Sequence, residues 1–171
     1  MLRLLAIALV GLLLAACSGT PLPREAKGRP GLDLDALRAD SARPISETRQ
    51  RVIATAAQLV GTPYKFGGTT PKGFDCTGYL MYVFRKAANV ALPRTSMEQI
   101  QAGDPIPPSQ LQPADLVYFR IDRKKDLHLG LYLGEGRFIH APSSGGAVNI
   151  QRLDMEYWRT RFLGARRVLS L

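Results

Sequence analysis

The chain has few of the residues from which proteins build disulfides and metal sites. It contains two cysteines, Cys17 and Cys76, and two histidines, His128 and His140, among 171 residues. A disulfide between the two cysteines is possible in principle, but their sequence contexts indicate a separate role for each. No zinc-type ligand spacing and no aromatic–basic nucleic-acid motif is present, so we expect no nucleic acid as a partner.

The N-terminal apolar run is too short to span a bilayer. It extends from Leu4 to Ala16, about 13 residues, whereas a transmembrane helix needs about 20. Arg3 before it and small residues after it give the layout of an export signal. The sequence LAAC that ends at Cys17 resembles a bacterial lipobox, in which the cysteine is lipidated; an ordinary cleavage site is the alternative. Ser18 after it resembles the outer-membrane signal of Gram-negative lipoproteins.

Acidic residues are scarce relative to basic ones. The chain has 14 Asp and Glu against 23 Lys and Arg, a formal net charge of +9. Such a surface favours anionic neighbours, although a solvated basic face without a specific partner is equally compatible with it. We expect a signal peptide at residues 1–16, then a lipidated cysteine and tether at 17–44. Proline, glycine and charges dominate this tether, in which only LDLDALRAD favours a short helical turn.

The remaining residues, 45–171, have the patterns of one α+β domain without internal repeats. Apolar residues from Val52 to Val60 share one stripe of a helix that Ser46 is expected to cap. A loop rich in glycine and proline follows, and Asp75 is a good N-cap for a second helix that ends near Asn89. A third, shorter helix is predicted from Ser96. After Pro113 the sequence changes to five short β-rich segments, which predict an antiparallel sheet.

Cys76 lies at the predicted start of the second helix, where the helix dipole and free backbone N–H groups stabilise a thiolate. We therefore expect a reactive thiol with a depressed pKa. Gly73 and Gly78 are expected to leave room beside it for a substrate backbone. The competing interpretation is a small buried hydrophobic residue, which describes most free cysteines.

The two histidines fall in neighbouring predicted strands. If Gly134–Gly136 is a three-residue hairpin loop, Gly130 faces His140, and His128 is its diagonal neighbour on the same face. A two-residue loop would turn one histidine away. One imidazole can then serve as a base while the other orients it, as cysteine hydrolases require.

The order FDCTG, HLGLYLG and RFIHAPSSGGAV resembles the NlpC-type family of papain-like cell-wall cysteine endopeptidases. GTPYKFGG, LPRTSMEQ, LQPADLVYF and YWRTRFLGARRV also match, so the resemblance covers residues 48 to 169. It implies a papain-like α+β fold: a helical subdomain, with the nucleophile at a helix N-terminus, packed on a central antiparallel sheet of about five to six strands. No metal or cofactor is implied.

Matched residue by residue, the resemblance gives Cys76 as nucleophile, His128 as base and His140 as the third polar member. Tyr64 matches a tyrosine beside the nucleophile that stabilises the oxyanion or binds substrate. Asp75 matches the motif as well, though its plain role is an N-cap. Two departures from the family pattern are visible. Thr77 stands for the usual serine and would narrow the cleft, and Ala114 stands for a glycine.

The resulting hypothesis is a membrane-anchored envelope lipoprotein that hydrolyses amide bonds in peptidoglycan stem peptides or cross-links. We expect it to be anchored through lipid on Cys17, in the outer membrane of a Gram-negative bacterium and facing the periplasm. Arg94, Arg120 and Lys65 are candidate partners for substrate carboxylates, but the sequence places none of them in a cleft. The alternatives are a papain-like amidase or acyltransferase on another substrate, or an inactive wall-binding lipoprotein. The oligomeric state stays open, with a monomer expected.

Overall fold

The computed structural model describes residues 45–121, 127–142 and 146–169. The predicted signal peptide, Cys17 and tether lie outside these residues. Within them, none of the helices is long and apolar enough to cross a membrane. The helices are α1 (Glu47–Ala57), α2 (Cys76–Ala88), α3 (Ser96–Gln99) and α4 (Glu156–Arg159). The strands are β1 (Thr69–Thr70), β2 (Gly73–Phe74), β3 (Asp104–Ile106), β4 (Leu116–Arg120), β5 (Leu127–Gly134), β6 (Arg137–His140), β7 (Asn149–Arg152) and β8 (Phe162–Arg167).

The main sheet has six strands in the order β3-β8-β4-β5-β6-β7, and every neighbouring pair is antiparallel. Helices α1 to α3 precede these strands in the chain and α4 lies between β7 and β8, so the predicted α+β class with an antiparallel sheet is confirmed. The sequence patterns did not reveal β3, because Pro105 lies inside it. The strand tolerates proline since it forms the edge of the sheet, where one side of the backbone needs no partner.

Helix α1 begins where it was predicted and ends earlier. Ser46 occupies the N-cap position, but its side chain forms no capping hydrogen bond. The helix ends at Ala57, so Leu59 and Val60 are not part of its apolar stripe as predicted. Leu59 still packs against the core, whereas Val60 is about half exposed.

Helix α2 agrees with its prediction at both ends. Asp75 is its N-cap, with the carboxylate accepting a hydrogen bond from the Gly78 N–H at 2.7 Å. Asn89 is its C-cap in the left-handed conformation, which asparagine adopts more readily than most residues. Leu80, Val83 and Phe84 are fully buried against the sheet and α1.

The β5–β6 hairpin differs from its prediction but preserves the predicted register. Gly134 pairs with Arg137, so the loop has two residues, Glu135 and Gly136. Both have positive φ, as a primed turn requires. A register shift between Tyr132 and Gly134 leaves one extra residue, Leu133, in β5. The bulge compensates for the shorter loop. Beyond it, Tyr132 pairs with Phe138 and Leu131 with Ile139, which is the pairing that a three-residue loop without a bulge would give.

The sheet separates two apolar clusters. One cluster joins α1 and α2 to one face of the sheet and contains Leu116, Leu129, Leu131 and Ile139. The other cluster covers the opposite face and is built from aromatic residues together with aliphatic ones, among them Phe119, Tyr132, Phe138, Trp158 and Phe162. The strand that carries His128 therefore contacts α2 through one face and an aromatic cluster through the other.

Candidate active site

Cys76 is the first residue of α2, and its thiol lies against β5. The backbone N–H groups of Leu129, Thr77 and Cys76 itself face the sulfur. Leu129 directly follows His128 in β5, so the thiol contacts the residue next to the proposed base. Cys76 is a free cysteine, so its sulfur is available as a thiol.

The pKa of the Cys76 thiol lies above its ordinary value, which is opposite to the direction predicted from the helix dipole. Burial is the largest cause, and the negative charge of Asp75 adds to it. The three backbone N–H groups act in the other direction and do not compensate. The thiol is therefore protonated at neutral pH.

The glycines beside the nucleophile make room for the protein's own loop. A Cβ atom at Gly78 would lie 2.1 Å from the carbonyl oxygen of Gly68, and one at Gly73 would lie 2.7 Å from the Lys65 Cβ. The predicted space for a substrate backbone is thus occupied by residues 65–68. These contacts fix that loop against the first turn of α2.

Asp75 is the centre of a hydrogen-bond network that fixes the start of α2. Besides Gly78, its carboxylate accepts hydrogen bonds from the Gly67 N–H at 3.1 Å and the Thr77 hydroxyl at 3.0 Å. Arg94 approaches both carboxylate oxygens, at 2.5 and 3.3 Å, and donates to the Thr77 hydroxyl. Burial opposes ionisation of Asp75, but the hydrogen bonds from Arg94, Gly78 and Thr77 outweigh it and lower its pKa. The network gives Asp75 the N-cap role; its role in substrate binding stays a prediction.

Arg94 is the functional residue that sequence reasoning left unplaced. Its side chain is 42% exposed while it forms the ion pair with Asp75, so it joins the buried network to the surface beside the nucleophile. The signal was present in the fragment LPRTS. Only the fold, however, shows that Arg94 meets an aspartate 19 residues away in the chain.

Tyr64 lies in the same cluster. Its backbone forms a bridge with Phe74 of β2, just before the nucleophile. Partial burial and then the negative charges of Cys76 and Asp75 raise the pKa of Tyr64, while Arg94 opposes the change. The phenol therefore remains protonated at neutral pH and can donate a hydrogen bond near the thiol.

His128 and His140 contact each other directly, as the hairpin geometry predicts. The distance between Nε2 of His128 and Nδ1 of His140 is 2.6 Å, and the two rings are nearly perpendicular. One of these nitrogens must carry the shared proton. If it is Nε2 of His128, then Nδ1 of the same ring has a free lone pair and can act as a base. His140 then carries its own proton on Nε2.

Asn149 lies directly opposite His140 in the β6–β7 pair. Its amide favours protonation of His140, yet the hydrogen-bond geometry is incomplete, because Nε2 of His140 is buried without a partner within bonding distance. The Asn149 Oδ1 already accepts from Gln151 and has a second lone pair available.

Trp158 of α4 packs against both imidazoles. Its ring is nearly parallel to His128, with centroids 5.9 Å apart, and edge-on to His140 at 5.0 Å. Burial, and then the proximity of His140, lowers the pKa of His128 to about 3; burial lowers that of His140 to about 4. Both rings are consequently neutral at pH 7, which leaves an imidazole lone pair available as a base.

The site is built from side chains and backbone groups, and no cluster of three metal-binding side chains occurs within residues 45–121, 127–142 and 146–169. A nucleophile at a helix start, a paired imidazole base and a neutral phenol together have the chemistry of an acyl-transfer site. Whether Cys76, His128 and His140 act as a triad stays a prediction at this point.

Comparison with known proteins identifies the fold and its family. The sequence model of the NlpC/P60 family matches residues 61–167, which include all the site residues described above. The chain belongs to the NlpC/P60 family. The resemblance predicted from the motifs is thereby confirmed.

Individual members of the NlpC/P60 family support this membership. The Gamma-DL-glutamyl hydrolase of Bacillus subtilis is 42% identical over 122 residues, which are 70% of this chain and 29% of that protein. The Murein DD-endopeptidase MepH of Escherichia coli is 38% identical over 117 residues, 66% of this chain and 43% of that protein. The crystal structure of an NlpC/P60 family protein from Bacillus cereus has a TM-score of 0.67 and 30% identity, covering 78% of this chain and 43% of that one. The chain thus spans less than half the length of each of these three proteins.

Proposed function

We propose that this NlpC/P60 protein is a cysteine endopeptidase that hydrolyses amide bonds in peptidoglycan stem peptides or cross-links. The observation that carries the proposal is the 2.6 Å contact between two buried, neutral imidazoles, one of which precedes the residue that contacts the Cys76 thiol. The relative named as a murein DD-endopeptidase supports both the reaction and the substrate, and the relative named as a glutamyl hydrolase supports hydrolysis.

In the proposed reaction, proton transfer accompanies nucleophilic attack. The thiol of Cys76 and the ring of His128 are both neutral at pH 7, so Nδ1 of His128 takes the thiol proton as sulfur attacks the amide carbonyl. The C–N bond then breaks, and His128 returns the proton to the leaving amine. Water attacks the resulting thioester, again with His128 as base, and regenerates the thiol.

His140 is proposed to orient the base without itself transferring protons. A hydrogen bond from Nε2 of His128 to Nδ1 of His140 selects the tautomer in which Nδ1 of His128 is unprotonated. Burial and the proximity of His140 disfavour a charged His128, so the ring holds the proton only until it passes to the leaving amine, and the face of Trp158 is the contact that favours the imidazolium.

The developing oxyanion is proposed to be bound by the phenol of Tyr64 together with the backbone N–H of Cys76. The coupling of Tyr64 to the Cys76 charge supports its proximity to the reacting sulfur. A hydrogen bond from a preorganised donor to an oxyanion is worth more in a site that excludes water, and removal of one such donor typically lowers kcat by about 10²–10³.

The names of the two relatives indicate different scissile bonds, and the experiment is designed to distinguish these bonds. One is named for a glutamyl bond and the other for a DD bond. The protein and its Cys76→Ala variant should be incubated with uncross-linked stem peptides and with cross-linked dimers, and the product masses read. Cleavage of stem peptides supports a glutamyl bond, and conversion of dimers to monomers supports a cross-link. If both substrates stay intact, an amidase or acyltransferase with another substrate replaces the proposal.

The location of the enzyme is proposed from the N-terminal sequence. Lipid on Cys17 would hold the catalytic domain at the outer membrane, within reach of peptidoglycan, and the surplus of basic residues suits a carboxylate-bearing polymer. Wild-type protein should fractionate with membranes and carry a lipid mass on Cys17, whereas Cys17→Ala should lack it. Soluble periplasmic wild-type protein would contradict the anchor.

A further inference from the structure

A second concave surface lies along the C-terminal half of α2. The cavity has a volume of about 460 Å³ and is lined by Thr69, Met81, Tyr82, Arg85, Lys86, Ala91 and Leu92, which we term the α2 groove. Arg85 is nine residues after Cys76, so the rise of the helix separates them by about 13 Å. The charged part of the α2 groove is therefore separate from the helix start that carries Cys76.

The α2 groove combines an apolar lining with positive charge. Leu92 is buried, and Met81 and Tyr82 are partly buried against the core, so they form an apolar floor. Arg85 and Lys86 are exposed on the last turn of the helix. A suitable occupant presents small aliphatic side chains together with carboxylates, because each part of the surface then meets its complement.

One segment of the same chain has this composition. Residues 32–37 read LDLDAL, with three leucines and two aspartates in six residues. They precede the described domain and lie between the proposed lipid anchor and α1.

The start of the described chain is joined to the C-terminal end of α2 through α1. The carbonyl of Ile45 accepts a hydrogen bond from the side chain of Gln50 in α1. Arg51, which follows Gln50, donates to the carbonyl of Ala87 at the end of α2. Seven residues, 38–44, separate Leu37 from Ile45, and an extended chain of that length spans up to about 25 Å. The stretch of α2 from Met81 to Ala87 is about 9 Å long and the helix is about 10 Å across; the extended chain exceeds either length, so the segment can reach the groove.

From these observations we propose that residues 32–37 bind the α2 groove of their own chain, with leucines on the apolar floor and aspartates beside Arg85 and Lys86. The contact shortens the free tether. If Cys17 is the anchor, the unattached part falls from residues 18–44 to residues 18–31, 27 residues against 14. A flexible chain then spans roughly 20 Å instead of roughly 30 Å, which brings the domain nearer to its membrane.

Limited trypsin digestion of the chain tests the proposal, since the N-terminal region contains its own reference site. Trypsin can cut after Arg24, Lys27 and Arg38, of which Lys27 serves as the reference site, whereas Arg29 and Arg43 are each followed by proline. Arg38 adjoins the docking segment and Lys27 does not. The ratio of the two initial rates therefore reports protection of the segment, independent of enzyme concentration.

The sharpest comparison leaves both cleavage sites unchanged. In Arg85→Glu/Lys86→Glu the Arg38:Lys27 rate ratio should rise about tenfold over wild type, as loss of a 10:1 docked preference predicts. Arg137→Glu/Arg159→Glu is the matched control, because it makes the same change in net charge at exposed positions away from the groove. It should keep the wild-type ratio. Equal ratios in wild type and the groove variant would overturn the proposal.

A double-mutant cycle identifies the occupant. Asp33→Asn/Asp35→Asn should raise the ratio in the wild-type background and leave it unchanged in the groove variant, since the partner charges are already lost there. Additive effects would show that the aspartates do not meet this groove, and would overturn the pairing. Protection that falls on tenfold dilution would mean that the segment binds a second copy, which contradicts docking within one chain. None of these readouts depends on peptidase activity, so failure here and failure of the proposed function are distinguishable.

Discussion

Mild acid should destabilise this protein more than its carboxylates can explain. The unfolded chain protonates each histidine near pH 6.5, whereas the folded state resists protonation until about pH 3 at His128 and about pH 4 at His140. Between pH 6.5 and 4.5 the unfolded state therefore binds more protons than the folded state, and stability falls as pH falls. Each pH unit costs about 1.4 kcal/mol per histidine, so two units and two histidines cost about 5 kcal/mol. That is a large part of the 5–15 kcal/mol typical of a domain.

The assay is urea unfolding at half-unit steps of pH, followed through the fluorescence of Trp158. This residue is the only tryptophan in the chain, and its ring contacts both imidazoles. Asp75 does not interfere, because its lowered pKa affects stability only as pH falls below its ordinary value of 3.8. His140→Gln should reduce the slope by about half. A loss below about 1 kcal/mol across the window, or an unchanged slope in His128→Gln/His140→Gln, would refute the reasoning.

Substitutions at four residues of the site have further expected outcomes. His140→Asn and His140→Gln should retain more peptidase activity than His140→Ala, because an amide can orient a base. The same three changes at His128 should each lower the rate by about 10²–10⁴, because an amide cannot accept the thiol proton. Steady-state kinetics on folded variants checks both expectations. Tyr64→Phe should lower kcat by about 10²–10³ with little change in KM, and an unchanged kcat would remove Tyr64 from the oxyanion site. Asp75→Ala should lower the free energy of unfolding by about 2 kcal/mol in urea titrations, and Asp75→Asn, which keeps a capping oxygen, should lose less; equal losses would contradict the capping role.

The contact between His128 and His140 was predicted correctly, although the loop length on which the prediction rested was wrong. Alternating side chains in two strands place His128 and His140 on one face only if the strand register is right. The sequence predicts that register from a three-residue loop. The structure reaches it with a two-residue turn and a bulge at Leu133. Glycines flanking Glu135 are compatible with either solution, so the choice between them depends on strand twist, which periodicity does not report.

The electrostatics of Cys76 could not be predicted from its position in the chain. A helix start favours thiolate, and that part of the prediction is present in the N–H groups that face the sulfur. Burial against β5 and the charge of Asp75 depend on residues brought together by folding, and they reverse the sign of the pKa shift. Thr77 and Ala114, the two departures from the family pattern, differ in their consequences. Thr77 joins the Arg94 network through its hydroxyl, while Ala114 adopts a positive φ of 73°, the conformation for which the usual glycine is suited.

The central claim is that the thiol of Cys76 performs the hydrolysis with His128 as its base. The most direct measurement is the rate at which purified peptidoglycan releases new amino groups in the presence of wild-type protein, Cys76→Ala and His128→Ala, all shown to be folded. We predict release by wild type, none above background with Cys76→Ala, and a loss of at least about 10² with His128→Ala. Undiminished release by Cys76→Ala would contradict the claim.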